Sequence, residues 1–186
     1  MLDTSASERY KQLALSWNHE DLAGIWDRVK SRSDVPGFPP GKAFEYLVIR
    51  AFVLEGARVR WPYEVIYPQK FGTMEQIDGL VYLDQRAFLV ESKALTEPAA
   101  IEAIAKLRHR LEGRPPGTMS ILFSLNDFST PAEVFAQFAS PLNVLLWGRA
   151  DLDIAFRERS MLEALRQKLA YAIEEGLPLY PLGGPV

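Results

Sequence analysis

The alternation of apolar and polar positions predicts a β-hairpin formed by residues 76–83 and 86–93. Both runs are short and rich in apolar residues, and the two residues between them, Asp84 and Gln85, suit a two-residue turn. The continuous apolar run over residues 88–90 is typical of a strand that is covered on both faces. We therefore expect this hairpin to lie inside a sheet with helices on both sides.

The register of this hairpin would gather polar side chains at its open end. Side chains alternate between the faces of a strand, so Glu91 and Lys93 share one face and Ser92 points to the other. With a two-residue turn, Asp78 lies opposite Glu91, and Gln76 lies opposite Lys93.

The rest of the pattern predicts an α/β domain with a mixed sheet covered by helices on both faces. A helical extension over residues 1–36 precedes a main domain over residues 37–186, and the two form one folded unit. The predicted elements of the main domain are a helix over 42–56, a strand over 58–67 interrupted at Pro62, the hairpin, a helix over 97–111, a strand over 119–125, a helix over 131–138, a strand over 142–147, a helix over 156–175 and a terminal loop.

Composition narrows the available chemistry. The 186-residue chain contains no cysteine and only two histidines, His19 and His109. This excludes disulfides and thiol catalysis, fits a cytoplasmic protein, and means that a metal would be held by carboxylates and carbonyls. The sequence shows neither a signal peptide nor a membrane-spanning run. The net charge of −3 argues weakly against a nucleic-acid binder, although local basic clusters decide binding.

Two facing carboxylates require a cation between them, because like charges directly opposite each other destabilise a strand pair. Lys93 could supply one positive charge to Asp78 and Glu91, and a hard divalent ion such as Mg²⁺ could supply two more. The alternative is a surface cluster of cross-strand salt bridges, which would contribute at most about 1 kcal/mol. The apolar flanks favour the functional interpretation, since unpaired carboxylates in a buried sheet are costly.

This arrangement resembles the PD-(D/E)XK nuclease superfamily, which has the restriction endonuclease-like fold, and within it the Mrr-like branch. An acidic residue on a helix is followed by Asp78, then by Glu91 and Lys93 with one residue between them, then by a helix and a strand. The α-β-β-β-α-β core of that fold would occupy residues 39–125. Ile77 stands where the proline of the motif would be, as in many members of the superfamily.

The resemblance implies a role for each of these residues. Asp78 and Glu91 would bind Mg²⁺ or Mn²⁺, with the carbonyl of Ser92 as a further ligand. Lys93 would orient or deprotonate the attacking water and stabilise the charge that builds on the scissile phosphate. Glu45, on the first core helix, would reach the metal through water or bind a second ion.

Further residues are candidates for positioning and for binding the substrate. Gln76 would position Lys93 or a phosphate. Lys42, Lys106, Arg108 and Arg110 are candidates for contact with nucleic acid. For the basic stretch over residues 106–114, the alternative is a solvated helix face that touches no phosphate.

Together these features predict a divalent-metal-dependent nuclease that acts on DNA, in restriction or another defence role. RNA stays open as a substrate, because only the resemblance favours DNA. Two other functions also stay open: a catalytically idle nuclease-like module that binds nucleic acid or a partner protein, and a purely structural domain. Because one active site cuts one strand, duplex cleavage would need a homodimer. The sequence shows no separate reader domain, so a partner protein could direct the enzyme to its target.

Overall fold

The computed structural model describes residues 4–67 and 72–183, and within them the chain forms seven helices and seven strands. The helices are α1 (Thr4–Leu15), α2 (His19–Lys30), α3 (Lys42–Leu54), α4 (Ile101–Glu112), α5 (Thr130–Phe138), α6 (Arg149–Glu158) and α7 (Met161–Glu174). The strands are β1 (Arg58–Arg60), β2 (Tyr63–Tyr67), β3 (Gly72–Ile77), β4 (Gly79–Leu83), β5 (Arg86–Lys93), β6 (Met119–Ser124) and β7 (Val144–Trp147). The predicted extension begins, and the predicted terminal loop ends, with three residues (1–3 and 184–186) that lie outside the described residues. None of these helices is long and apolar enough to cross a membrane.

A mixed five-stranded sheet, in the order β1-β4-β5-β6-β7, forms the centre of the fold. The pairs β1–β4 and β4–β5 are antiparallel, whereas β5–β6 and β6–β7 are parallel. Each parallel connection contains a helix, α4 in the first and α5 in the second, as parallel strands require. The predicted α/β class with a mixed sheet is confirmed.

Both faces of the sheet are buried, as the apolar run over residues 88–90 predicted. Phe88 and Val90 belong to the core that contains α3, whereas Leu89 belongs to a second core that contains α4. Because side chains alternate along β5, Glu91 lies on the same face as Leu89 and points toward α4.

Helices α1 and α2 pack against α3. The indole ring of Trp26 lies 6.1 Å from the ring of Phe44 and 5.2 Å from that of Phe156, measured between ring centroids. The indole nitrogen donates a hydrogen bond to Asp153 at 2.8 Å. The N-terminal helices thus contribute to the same core as α3.

The predicted two-residue turn is confirmed. Leu83 pairs with Arg86, and the two residues between them have positive φ angles, 47° at Asp84 and 66° at Gln85. Two consecutive positive φ angles are the signature of the type I′ turn, whose twist matches that of the flanking strands.

The predicted first strand of the hairpin, residues 76–83, is confirmed over residues 79–83 and wrong over residues 76–78. The chain bends at Asp78, and residues 72–77 form β3, which pairs with β2 in a separate two-stranded sheet. Gln76 therefore lies opposite Glu64 and not opposite Lys93. The predicted strand over 58–67 is split for a related reason: Pro62 cannot donate to a sheet ladder, so the chain leaves the main sheet there and β2 takes β3 as its partner.

Two predicted helices also have different bounds. Helix α4 begins at Ile101, because the amide of Ala99 donates to the carbonyl of Asp127 at 2.9 Å and holds the preceding segment extended. The helix predicted over 156–175 is two helices, α6 and α7, separated at Arg159, which has a left-handed φ of 52°. Glu55 defines the start of α7, because its carboxylate accepts hydrogen bonds from the first amides of that helix at 2.7 Å.

Candidate active site

A cleft of about 830 Å³ opens where the β2–β3 hairpin bends away from the main sheet. One wall comes from α3, another from α4, and a third from the hairpin itself. Its lining consists of carboxylates, cations and a few other residues: Lys42, Glu45, Val65, Gln76, Asp78, Glu91, Lys106, His109, Arg110, Gly113 and Arg114. Acidic residues from α3, from the bend between β3 and β4, and from β5 thus meet in one cavity with several positive charges.

Asp78 lies at the bend between β3 and β4 and is half-buried. Its Oδ2 accepts a hydrogen bond from the backbone amide of Ser92 at 2.7 Å. Burial raises the pKa of Asp78 well above its ordinary value, and repulsion from Glu45 and Glu91 raises it further. The position therefore disfavours an isolated negative charge and would favour a bound cation.

Glu91 is buried, with 7% of its surface exposed, and both of its oxygens are engaged. Oε1 accepts a hydrogen bond from the ammonium of Lys93 at 2.8 Å, and Oε2 accepts one from the guanidinium of Arg110 at 2.7 Å. Burial alone would raise the pKa of Glu91, but the Lys93 and Arg110 charges outweigh it and lower that pKa below its ordinary value. The carboxylate is therefore ionised and held in one orientation.

Glu45 reaches the cleft from α3, on the side of the sheet opposite to α4. Its carboxylate bonds the ammonium of Lys42, one turn earlier on the same helix, at 2.6 Å. Burial raises the pKa of Glu45, Lys42 opposes this increase, and Glu91 adds to it. Glu45 thus interacts electrostatically with both Asp78 and Glu91.

The remaining predicted residues lie at different places. Ser92 donates its amide to Asp78, but its side chain is buried and is not part of the cleft lining. Gln76 is exposed and lines the cleft, although its pairing with Glu64 removes the predicted position opposite Lys93.

Of the predicted nucleic-acid contacts, two fit an accessible role and two do not. Lys42 and Lys106 line the cleft, and the side chain of Lys106 is 58% exposed. Arg108 points away from the cleft, and its guanidinium donates to the carbonyls of Ser140 and Pro141 at 2.8 and 2.7 Å. Arg110 also lines the cleft but is only 8% exposed, and its guanidinium is engaged by Glu91 and by the backbone carbonyl of Gln76.

The sequence pattern contains a signal that separates these two arginines. Ile104, Leu107 and Leu111 form the apolar stripe of α4 that packs on the sheet. At helical spacing, Arg108 and Arg110 flank this stripe on opposite edges. The edge with Arg108 faces the loop before β7, and the edge with Arg110 faces Glu91. The spacing separates the two arginines, but only the packing of the helix shows which of them faces the cleft.

The cleft residues match a hard divalent cation in the chemistry of their donors, which are carboxylate oxygens. Repulsion from Glu45 and Glu91 raises the pKa of Asp78, and repulsion from Glu91 raises that of Glu45, which a bound cation would relieve. Among the described residues, however, no three acidic or histidine side chains already converge as a complete ligand set. A bound metal would displace the cations that now pair with Glu45 and Glu91, or would share these carboxylates with them.

The chain is similar to a known protein family and to a solved structure. A family model for the Mrr-type catalytic domain, described as a restriction endonuclease, matches residues 40–154. Among curated proteins, none matches the chain. A similar solved structure is the MspJI restriction endonuclease in complex with a 27-mer oligonucleotide, with a TM-score of 0.38 and 16% sequence identity. That similarity covers 94% of this chain and 37% of the other, so the chain spans little more than a third of that protein's length.

Proposed function

Because the chain belongs to the Mrr-type restriction endonuclease family, we propose that it is a divalent-metal-dependent nuclease that hydrolyses phosphodiester bonds in DNA. The observation that carries this proposal is the grouping of Asp78, Glu91 and Lys93 beside an open cleft. Asp78 and Glu91 line the same cleft, the backbone amide of Ser92, next to Glu91, donates to Asp78 at 2.7 Å, and the Lys93 ammonium lies 2.8 Å from Glu91. These residue types are what hydrolysis of a phosphodiester needs.

Asp78 and Glu91 would hold Mg²⁺ or Mn²⁺, with Glu45 and the Ser92 carbonyl as further oxygen donors. When bound, the metal lowers the pKa of a coordinated water and stabilises the negative charge that develops on the phosphate. Asp78 is positioned for this by the Ser92 amide, and Glu91 is positioned by two cationic partners.

Lys93 would act on the attacking water. In the structure its ammonium is bound to Glu91 and is partly exposed, at 27% of its side-chain surface. Once Glu91 shares its charge with a metal, Lys93 would be freer to orient the water through its ammonium. As the neutral amine, after releasing its own proton to solvent, it could also accept a proton from that water. Proton transfer by a positioned group of this kind contributes about 10²- to 10⁴-fold to a rate.

The rim of the cleft would bind the DNA backbone. Lys42 and Lys106 supply positive charge on α3 and α4, on either side of the carboxylates. Such phosphate contacts position a substrate and carry no sequence information. A homodimer would bring two such sites to the two strands of a duplex. Cleavage of foreign DNA by such an enzyme would serve restriction or another defence role.

The test is a cleavage assay on supercoiled, linear, single-stranded and methylated DNA, with Mg²⁺, Mn²⁺ or EDTA. We expect cleavage that requires the metal and that is lost in Asp78→Asn and in Lys93→Ala. Asp27→Asn, an exposed change on α2, serves as the matched control and should cleave as the wild type does. Metal-dependent cleavage that survives in Asp78→Asn and Lys93→Ala would contradict the proposed site, and its absence from the wild type on every substrate would contradict the proposed activity.

A further inference from the structure

Arg110 joins two parts of the cleft that are far apart in sequence. One guanidinium nitrogen donates to Oε2 of Glu91 at 2.7 Å, and another donates to the backbone carbonyl of Gln76 at 2.5 Å. Gln76 belongs to β3, the strand of the hairpin wall, and Asp78 follows it by two residues. A single side chain thus contacts both the strand that carries Glu91 and the segment that leads into Asp78.

The surroundings of Arg110 favour a fixed geometry. Its side chain is 8% exposed and that of Glu91 is 9% exposed, so the ion pair is shielded from solvent. Hydrogen bonds between a guanidinium and a carboxylate are about twice as strong as neutral ones, and the planar group fixes the direction of its donors. Because the two donors point to different partners, a movement of Glu91 relative to Gln76 would break one of them.

We propose that Arg110 is a positioning residue, which holds Glu91 and the β3–β4 bend in the relative arrangement that the metal requires. This inference rests on the proposed nuclease function, since it concerns the same carboxylates. It replaces the expectation that Arg110 binds a phosphate of the substrate. Partners of metal ligands that act in this way typically contribute about 10- to 100-fold in metal affinity or activity.

Two substitutions separate geometry from charge. Arg110→Lys keeps the positive charge, but a single ammonium nitrogen replaces the planar group that spans both partners. Arg110→Gln removes the charge as well. By electrostatics alone, the lost positive charge in Arg110→Gln would strengthen metal binding. Because Arg110→Lys keeps that charge, a loss of metal affinity in Arg110→Lys measures the effect of geometry.

The first measurement needs no cleavage activity. Mn²⁺ binding to the full chain is followed by electron paramagnetic resonance of the free ion, without DNA, for the wild type and Arg110→Lys. Turnover at saturating Mn²⁺ is then measured against DNA concentration to separate kcat from KM. We expect Arg110→Lys to show a total loss of about 10- to 100-fold, which falls on Mn²⁺ affinity, on kcat or on both. The KM for DNA should stay near the wild-type value.

Chemical rescue provides a further readout, because added guanidinium would not restore activity or metal affinity if Arg110 only filled space in the core. In Arg110→Ala, guanidinium at millimolar concentration should enter the cleft-lining space and restore part of the lost kcat or affinity. Arg108→Ala, on the same helix but facing the loop before β7, is the matched control and should show no such rescue. If Arg110→Ala does not fold, as judged by its melting curve, Arg110→Lys still provides the test.

Each outcome decides the matter. Wild-type affinity and turnover in Arg110→Lys would overturn the inference, and so would a loss confined to KM, which would indicate a phosphate contact. A wild-type protein that neither binds Mn²⁺ nor cleaves DNA would overturn the proposed function itself. A wild-type protein that does both, beside an unaffected Arg110→Lys, would overturn only the positioning role.

Discussion

Asp78 accepts a hydrogen bond from the backbone amide of Ser92, 14 residues further along the chain, at 2.7 Å. This contact ties the bend after β3 to the end of β5, where Glu91 and Lys93 lie. It also fixes the Asp78 carboxylate in an environment that raises its pKa, through burial and through repulsion by Glu45. The fold therefore disfavours the charged form of Asp78 unless a cation is bound beside it, as is common at functional sites.

We expect Asp78→Asn to raise the melting temperature at neutral pH in the absence of metal, because asparagine keeps an oxygen for the Ser92 amide and removes the charge. The pKa of Asp78 is higher in the folded than in the unfolded protein, where it is about 4. Its ionisation therefore destabilises the folded state above the folded pKa, and this effect disappears as the pH falls through that value toward about 4. Melting curves across this pH range measure the difference.

The control for that prediction is Asp27→Asn, whose side chain is 74% exposed. We expect no comparable gain in melting temperature from it at any pH. A drop in stability for Asp78→Asn at neutral pH would show that the charge is compensated within the fold and would contradict the interpretation.

Gly79, directly after Asp78, packs closely against α3. A Cβ atom at this position would lie 2.5 Å from Cδ1 of Ile49. We expect Gly79→Ala to lower the free energy of unfolding by about 1–3 kcal/mol, because the added methyl group overpacks the contact between β4 and α3. Chemical denaturation measures this loss, and the double variant with Ile49→Val, which lacks the Cδ1 atom, should recover part of it.

A glycine without close neighbours provides the comparison. A Cβ atom at Gly24, within α2, would meet nothing within 4 Å beyond its chain neighbours and the backbone of its own helix. Gly24→Ala should stabilise the protein by about 0.5–1 kcal/mol, since alanine favours the helix. Equal effects of alanine at both positions would contradict the role of the close approach at Gly79.

Lys106 and Arg108 should differ in DNA binding although they are two residues apart on α4. Lys106 is exposed in the cleft, so Lys106→Ala should weaken binding of every sequence alike and reduce the salt-dependence slope by about 0.9 for one lost phosphate contact. Fluorescence anisotropy at several salt concentrations, in the Asp78→Asn background, measures both quantities. Arg108→Ala should lower the melting temperature and leave the slope unchanged, since Arg108 binds the loop before β7.

A buried ion pair far from the cleft should control stability. Lys168, 1% exposed, donates to the carbonyls of Leu146 and Tyr180 at 2.8 and 2.7 Å and to Asp151 at 2.6 Å. Lys168→Ala should lower the free energy of unfolding by about 3–5 kcal/mol, because the buried carboxylate of Asp151 keeps its two backbone amide donors but loses its cationic partner. Chemical denaturation provides the measurement, and Lys11→Ala, in an exposed pair, should change it by less than about 1 kcal/mol.

Local patterns predicted the elements that depend on neighbouring residues. The turn at Asp84 and Gln85 follows from two short apolar runs that are two residues apart. The helix that carries Glu45 follows from a long run of helix-forming apolar residues. In both cases the contacts that decide the structure lie within a few positions in the sequence, so the pattern is sufficient.

The prediction was wrong where distant partners compete. Residues 72–77 could have continued the β4 strand along β5, but they pair with β2, a choice that depends on the whole course of the chain after Pro62. The break at Arg159 is similar, since Glu55, more than a hundred residues earlier, holds the start of α7. Neither interaction leaves a trace in local periodicity.

The candidate site divides in the same way. The sequence by itself determined that Glu91 and Lys93 share a face of β5, because the period of a strand is a local property. It also determined that Asp78 lies next to β4, the strand that pairs with β5 across the two-residue turn. Only the tertiary structure decided that Glu45 approaches from one side of the sheet and Arg110 from the other. Those distances depend on how two helices pack against opposite faces, which is set by the shape of the whole core and not by the spacing of residues along the chain.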